Sequence, residues 1–204
     1  MKKPESNARK TKKSQAREQD LATIDLLIAR LADKSEQKRK STRESLVAIG
    51  EPAIPALINA LEHSNSQVRW EAAKALGQIR APQAAPAMVK ALRDEAFDVR
   101  WLATEGLIAM GKEALAPLLK ELTLNSEHPW LREGAHHVLS HFAGSDVIIE
   151  HHDISHPVQS TELRGLLKPL VAALDSMEPS IEVPRAAKKA LDELMQLDSN
   201  PDTK

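Results

Sequence analysis

Residues 68–79 read VRWEAAKALGQI, and residues 99–110 read VRWLATEGLIAM. The two segments are copies of one motif, 31 residues apart. With Val68 as position zero, apolar or small residues follow at +4 (Ala72), +7 (Ala75), +8 (Leu76) and +11 (Ile79). At about 100° per residue these side chains share one face of a helix. The same template fits Val99, Ala103, Gly106, Leu107 and Met110. It fits Leu131, Ala135, Val138, Leu139 and Phe142, and again Val183, Ala187, Ala190, Leu191 and Leu194. A more polar version occurs earlier, at Lys38, Thr42, Ser45, Leu46 and Ile49. The +8 leucines stand at 46, 76, 107, 139 and 191, so one interval carries about 20 extra residues, between 143 and 162.

A second apolar pattern follows each first one. PALINAL (55–61), PAMVKAL (86–92), APLLKEL (116–122) and KPLVAAL (168–174) are alike, and DLLIARL (25–31) precedes them all. The links between patterns, such as GEPAI (50–54) and RAPQAA (80–85), carry the helix breakers Gly and Pro. A pair of amphipathic helices cannot bury its apolar faces alone. Pairs repeating every 30 or so residues bury them by stacking, which predicts an α-solenoid. The polar zero position of the first copy suits a capping repeat with water on its outer side.

Composition agrees with this reading. Of 204 residues, 42% are apolar but only 2% aromatic, with three Trp, two Phe and no Tyr. Ala and Leu must therefore supply the packing. The net charge of −1 gives the whole protein no strong pull towards nucleic acid or anionic membranes. The balance is uneven, because residues 1–20 hold seven Lys or Arg against three Asp or Glu. Cysteine is absent, which excludes disulfides, thiolate metal sites and thiol catalysis. The sequence has neither a membrane-spanning apolar run nor the apolar stretch of a secretory signal near its start, so a cytoplasmic location is expected. The segments 1–20 and 197–204 are expected to be disordered tails around a repeat domain over 21–196. The insertion, 143–162, is expected to form a loop.

The pattern V-R-x-x-A-x-x-A-L-G-x-I followed by P-x-L-I-x-A-L resembles HEAT repeats, in particular the short HEAT-like type of phycobilin lyase subunits. The resemblance is close over 64–122, good over 21–142 and loose over 163–196. It implies an all-α, right-handed superhelix of about five stacked hairpins, with first helices on the convex side and second helices on the concave side. The family's arginine at +1 appears as Arg39, Arg69, Arg100 and Arg132, and Pro184 replaces it in the last copy. The aspartate often found at −3 is replaced by Ser35, Asn65, Ala96, His128 and Ser180. The family's ladder of polar contacts between repeats therefore does not carry over directly, although Ser and Asn can still cap helices.

Three groups of residues are candidates for function. Trp70 and Trp101 lie at +2, about 200° from position zero and so opposite the core. First helices about 10 Å apart would set the two indoles side by side, with Leu102 next to them. Trp is enriched in binding hot spots, and the alternative is a ring laid flat to seal the solenoid. Trp130, at −1, falls outside this row. A second group, Asn59, Glu62, Lys90, Arg93, Lys120 and Glu121, forms the expected concave row. It is mixed in sign and without aromatics, unlike the basic, aromatic-lined face of HEAT-like DNA glycosylases.

The third group is histidine-rich. Glu133, His137 and His141 follow one another at i, i+4 and i+8, a spacing that can bind a metal ion. His151, His152 and His156 in the insertion could complete the shell. A solvated histidine-rich corner is the competing reading. HEAT-like repeats also build the di-iron enzyme deoxyhypusine hydroxylase, whose ligands are His-Glu dipeptides, and this chain has none. Phosphate-binding loops, a G-x-S-x-G elbow and H-E-x-x-H are likewise missing. The basic segment 2–17 could bind an acidic surface by counterion release, or act as a solubilising arm. The expected function is a non-catalytic scaffold or assembly subunit. Its partner would be another protein rather than nucleic acid or membrane, and it needs no cofactor. The alternatives are a phycobilin lyase-like accessory enzyme and a metal-dependent function at the histidine corner.

Overall fold

The computed structural model describes residues 21–144, 161–176 and 179–199, and all of their regular structure is helical. Helix α1 covers residues 21–30. It is followed by α2 (Glu36–Ile49), α3 (Ile54–Ala60), α4 (Ser66–Ile79), α5 (Ala85–Ala91) and α6 (Phe97–Met110). The chain continues with α7 (Leu115–Asn125), α8 (Pro129–Ala143), α9 (Thr161–Leu174) and α10 (Pro179–Ser199). Short 3₁₀ turns at Glu51–Ala53, Pro82–Ala84 and Gly111–Ala114 lead into α3, α5 and α7. Pro55 and Pro86 sit in the first turn of their helices, where a missing N–H costs nothing. The expected tail 1–20, residues 200–204 and most of the expected insertion lie outside the described residues. Ala143 and residues 161–162, at the insertion's edges, are helical, as are residues 197–199.

The repeating apolar positions form one continuous core from Ile24 to Leu194. Val68, Ala72, Ala75 and Leu76 are buried on α4, as are Val99, Ala103 and Leu107 on α6 and Leu131, Ala135, Val138 and Leu139 on α8. Each buried Leu or Val contributes about 1.5–3 kcal/mol. The fold is an all-α solenoid. First helices α2, α4, α6 and α8 pack in one row, and α3, α5 and α7 flank it as a second row. The tightest place in the first row is the crossing of α4 and α6. There a Cβ built on Gly77 would stand 3.1 Å from Gly106 Cα.

A polar ladder does link the repeats, and it differs from the family pattern. Each +1 arginine turns back onto the turn ahead of its own helix. One terminal nitrogen of Arg39 donates to the carbonyls of Asp33 (2.9 Å) and Lys34 (3.2 Å). Arg69 does the same to His63 (2.9 Å) and Ser64 (3.2 Å), and Arg100 to Asp94 (2.9 Å) and Glu95 (3.2 Å). Arg132 donates to Ser126 at 2.9 Å. Three of these arginines also reach the next repeat. Arg39 Nε donates to Glu71 at 3.2 Å, and Arg43 donates to the same buried carboxylate. Arg69 grips Asp94 with two hydrogen bonds of 2.7 and 2.8 Å. Arg100 lies 4.4 Å from the centre of the Trp130 ring. Side chains at −5, as well as one at −3, cap the following backbone. Asp33 and Asp94 each accept from an N–H two residues on, at 2.8 Å, and His63 does so at 3.0 Å. Of the −3 residues with capping potential, Asn65 accepts from Gln67 N at 2.9 Å, whereas Ser35 makes no side-chain cap.

The end of the array departs from the sequence reading. The template places Val183–Leu194 on a first helix and KPLVAAL on a second one. In the structure α9 packs on α8, and α10 packs on α7 and α9. The last two helices have thus exchanged rows. The reason is that the repeat template records only an apolar stripe, and a stripe of this kind fits either row. Pro169 does not open a helix as its counterparts do; it lies inside α9, eight residues after its start.

Candidate functional site

The paired tryptophans share a motif position but not an environment. Trp70 on α4 is half-buried and packs against the core. Two cations of the protein itself cover its ring. Lys74 Nζ lies 4.7 Å from the ring centre and the Arg43 guanidinium carbon 5.7 Å. Trp70 therefore seals the junction of α2 and α4, and the side-by-side indole pair expected from the sequence does not form. Trp101 on α6 instead meets His137 of α8 at right angles, 6.1 Å between ring centres. Leu102 is half-buried against the core.

The exposed aromatic surface lies further along the row. Phe97, Trp101 and Trp130 are 58%, 37% and 39% exposed. These are three of the five Phe and Trp residues in the protein, on the first two turns of α6 and the first turn of α8. Arg100 joins Phe97 and Trp130, and Trp101 stands one turn along α6 from Phe97. The Arg100 guanidinium, already fixed by the Asp94 and Glu95 carbonyls, lies 4.4 Å from the Trp130 ring centre and 5.5 Å from that of Phe97. His128 adds a tilted ring contact to Trp130 at 5.6 Å. Phe97, Arg100 and Trp130 were not legible as a site, because they occupy −2 and +1 of one copy and −1 of the next. The usable signal was their common place in the first turn after a loop.

The second-row candidates are largely paired with one another. Lys90 on α5 holds Glu62, beyond α3, at 2.6 Å, and Arg93 holds Glu121 of α7 at 3.2 Å. The Lys90 hydrogen bond and charge keep the Glu62 carboxyl below its usual pKa. Glu121 also accepts from Asn125 at 2.9 Å. Asn59 and Lys120 are exposed. Glu62, Lys90 and Arg93 line an open groove of about 570 Å³ whose walls also include Ile58, Ala87 and Glu95. Arg69 and Asp94 also line it, and the carboxylates beside Arg69 raise that guanidinium's pKa further.

The histidine corner is only partly described. Glu133 is exposed on α8, and His137 and His141 are half-buried. His137 is engaged with Trp101, and His141 lies edge-on to Phe142 at 5.3 Å. Burial lowers the His141 pKa, which favours the neutral imidazole. Among the described residues no three His, Asp or Glu side chains converge on a metal position. His151, His152 and His156 lie outside the described residues. No described helix is long and apolar enough to cross a membrane.

The family model described as HEAT repeats matches residues 24–108 and 54–140. Curated proteins include no match to the sequence. Among solved structures, the chain is similar to the complex of CpcE and CpcF of phycocyanin lyase from Nostoc sp. PCC7120. The identity is 24%, over 83% of this chain and 98% of that one, with a TM-score of 0.49. A designed armadillo repeat protein is similar at 20% identity, over 86% of this chain and 83% of that one, with a TM-score of 0.39.

Proposed function

We propose that this chain, which belongs to the HEAT repeat family, is a non-catalytic scaffold that docks another protein on the first-row face of its solenoid. The observation that carries the reading is the ridge of Phe97, Trp101 and Trp130 around Arg100. An aromatic-poor protein leaves three of its five Phe and Trp side chains partly in water, on two adjacent helices. Large aromatic side chains and arginine are the residue types that dominate binding energy at protein interfaces. The ridge is also preorganised. Arg100 is tied to backbone carbonyls before any partner arrives, so little side-chain entropy remains to be lost. The second-row charges support docking less well, since Glu62, Lys90, Arg93 and Glu121 already satisfy one another.

The test compares wild type with the Phe97→Ala/Trp101→Ala/Trp130→Ala variant in pull-downs from host lysate, after circular dichroism shows equal helicity. A protein retained by wild type and lost by the variant supports the ridge. Equal retention by both overturns it. An Asn59→Ala/Lys120→Ala variant, which leaves the ion pairs intact, is expected to behave as wild type.

A further inference from the structure

We propose that the exposed ring of Trp101 is an open cation site that receives a lysine or arginine side chain of a partner protein. The proposal rests on the first-row reading above and names the chemistry of one part of that surface. It comes from a difference between two copies of one motif. Trp70 and Trp101 occupy the same +2 position. The protein fills the Trp70 site itself, with Lys74 at 4.7 Å and Arg43 at 5.7 Å. Lys74 stands at +6 of its own copy, and Arg43 at +5 of the copy before. Around Trp101 the same two positions hold Glu105 and Ala73. One reverses the charge, and the other is a fully buried methyl group. Among the described residues no lysine or arginine lies over Trp101, whose ring neighbour is His137.

Among the described residues the ring is thus kept while the two cations of the Trp70 site are replaced. Arg100, next to Trp101 in sequence, is turned onto Trp130 and Phe97, and the flank of Trp101 carries acidic residues. Asp98 precedes Trp101 by three residues and Glu105 follows it by four, so both stand on its flank of α6. Glu133 lies one turn before His137 on α8. An indole face attracts ammonium and guanidinium groups through its quadrupole. Outside residues 1–20 the sequence holds 21 Lys or Arg against 26 Asp or Glu, which favours approach of a basic segment. A side-chain cation is a better match than a small metal ion, because the two cations on Trp70 are a lysine and an arginine.

The experiment uses the full-length protein and fluorescein-labelled hexalysine and hexaarginine peptides, with hexaglutamate as control, read by fluorescence anisotropy at two salt concentrations. Wild type is expected to bind the basic peptides and not hexaglutamate. Trp101→Leu keeps every charge and is expected to weaken binding about three- to fivefold. Trp70→Leu is expected to change it less than about twofold. Glu105→Lys recreates the Trp70 arrangement, so its own ammonium should occupy the ring and weaken binding at least as much as Trp101→Leu. Thermal melts confirm that each variant is folded, and Glu105→Lys keeps the test decisive where Trp101→Leu is not. No binding by wild type, or binding by Trp101→Leu and Glu105→Lys as tight as that of wild type, overturns the proposal. Capture of a partner that survives Glu105→Lys yet is lost in the triple aromatic variant overturns the cation site alone and leaves the ridge standing.

Discussion

Arg69 on α4 holds Asp94, in the turn ahead of α6, through two hydrogen bonds of 2.7 and 2.8 Å, with both side chains 8% exposed. The pair joins two repeats, and Asp94 also accepts from the Ala96 N–H. Removing Asp94 leaves the buried Arg69 guanidinium with Glu95, at 3.2 Å, as its remaining carboxylate, and leaves the Ala96 N–H without its acceptor. Asp94→Ala is therefore expected to cost about 2 kcal/mol of unfolding free energy, measured from urea transitions. Asp94→Asn, which keeps one acceptor, should recover part of the loss. A cost below about 1 kcal/mol for Asp94→Ala would show that the pair does not couple the repeats.

The α4–α6 crossing gives a second prediction. A Cβ on Gly77 would meet the Gly106 backbone at 3.1 Å, whereas a Cβ on Gly106 meets chiefly the flexible end of Met88. Backbone cannot swing aside and a methionine can. Gly77→Ala should lose about 1–2 kcal/mol, since overpacking outweighs the gain in helix propensity. Gly106→Ala should lose less. The reverse order in matched thermal melts would contradict the close approach.

Arg80 ends α4 in the left-handed region, with φ 55° and ψ 51°. The equivalent positions, one repeat before and after, are Gly50 and Gly111, both with positive φ. Arginine is the residue under strain there. Arg80→Gly is expected to stabilise the protein by about 0.5–1 kcal/mol, seen as a higher Tm. An unchanged or lower Tm would mean that the Arg80 side chain makes a compensating contribution.

His141 links stability to pH. Burial lowers its pKa in the folded protein below the ordinary value of 6.5. In the window between the folded and unfolded values the unfolded chain binds more protons, so stability rises with pH. The contribution is complete above about pH 6.5 and is lost as pH falls through the folded pKa. Urea midpoints measured from pH 7.5 down to 4.5 should fall less steeply for His141→Asn than for wild type. Parallel curves would place the proton-sensitive group elsewhere.

The repeat length, the helical faces and most core residues were legible in the sequence, because they depend on local periodicity. Val68, Ala72, Ala75 and Leu76 share a stripe whatever lies beyond it, and all four are buried. The +1 arginines were legible as a recurring feature, but their partners were not. Glu71, Asp94 and Trp130 stand at different offsets from Arg39, Arg69 and Arg100, and any of them could have faced water. Trp70 and Trp101 read alike as VRW, yet one is covered by cations and the other is exposed.

By itself the sequence determined that these helices form and which side of each turns inward, since one hundred degrees per residue is a property of the backbone alone. Only the tertiary structure decided which neighbour each helix meets. It moved α10 into the second row, and it brought Arg43 from a different helix onto Trp70 but set no lysine or arginine of the described chain over Trp101. Such contacts depend on distances of a few ångströms between segments about 30 residues apart, and periodicity along one helix carries no record of them.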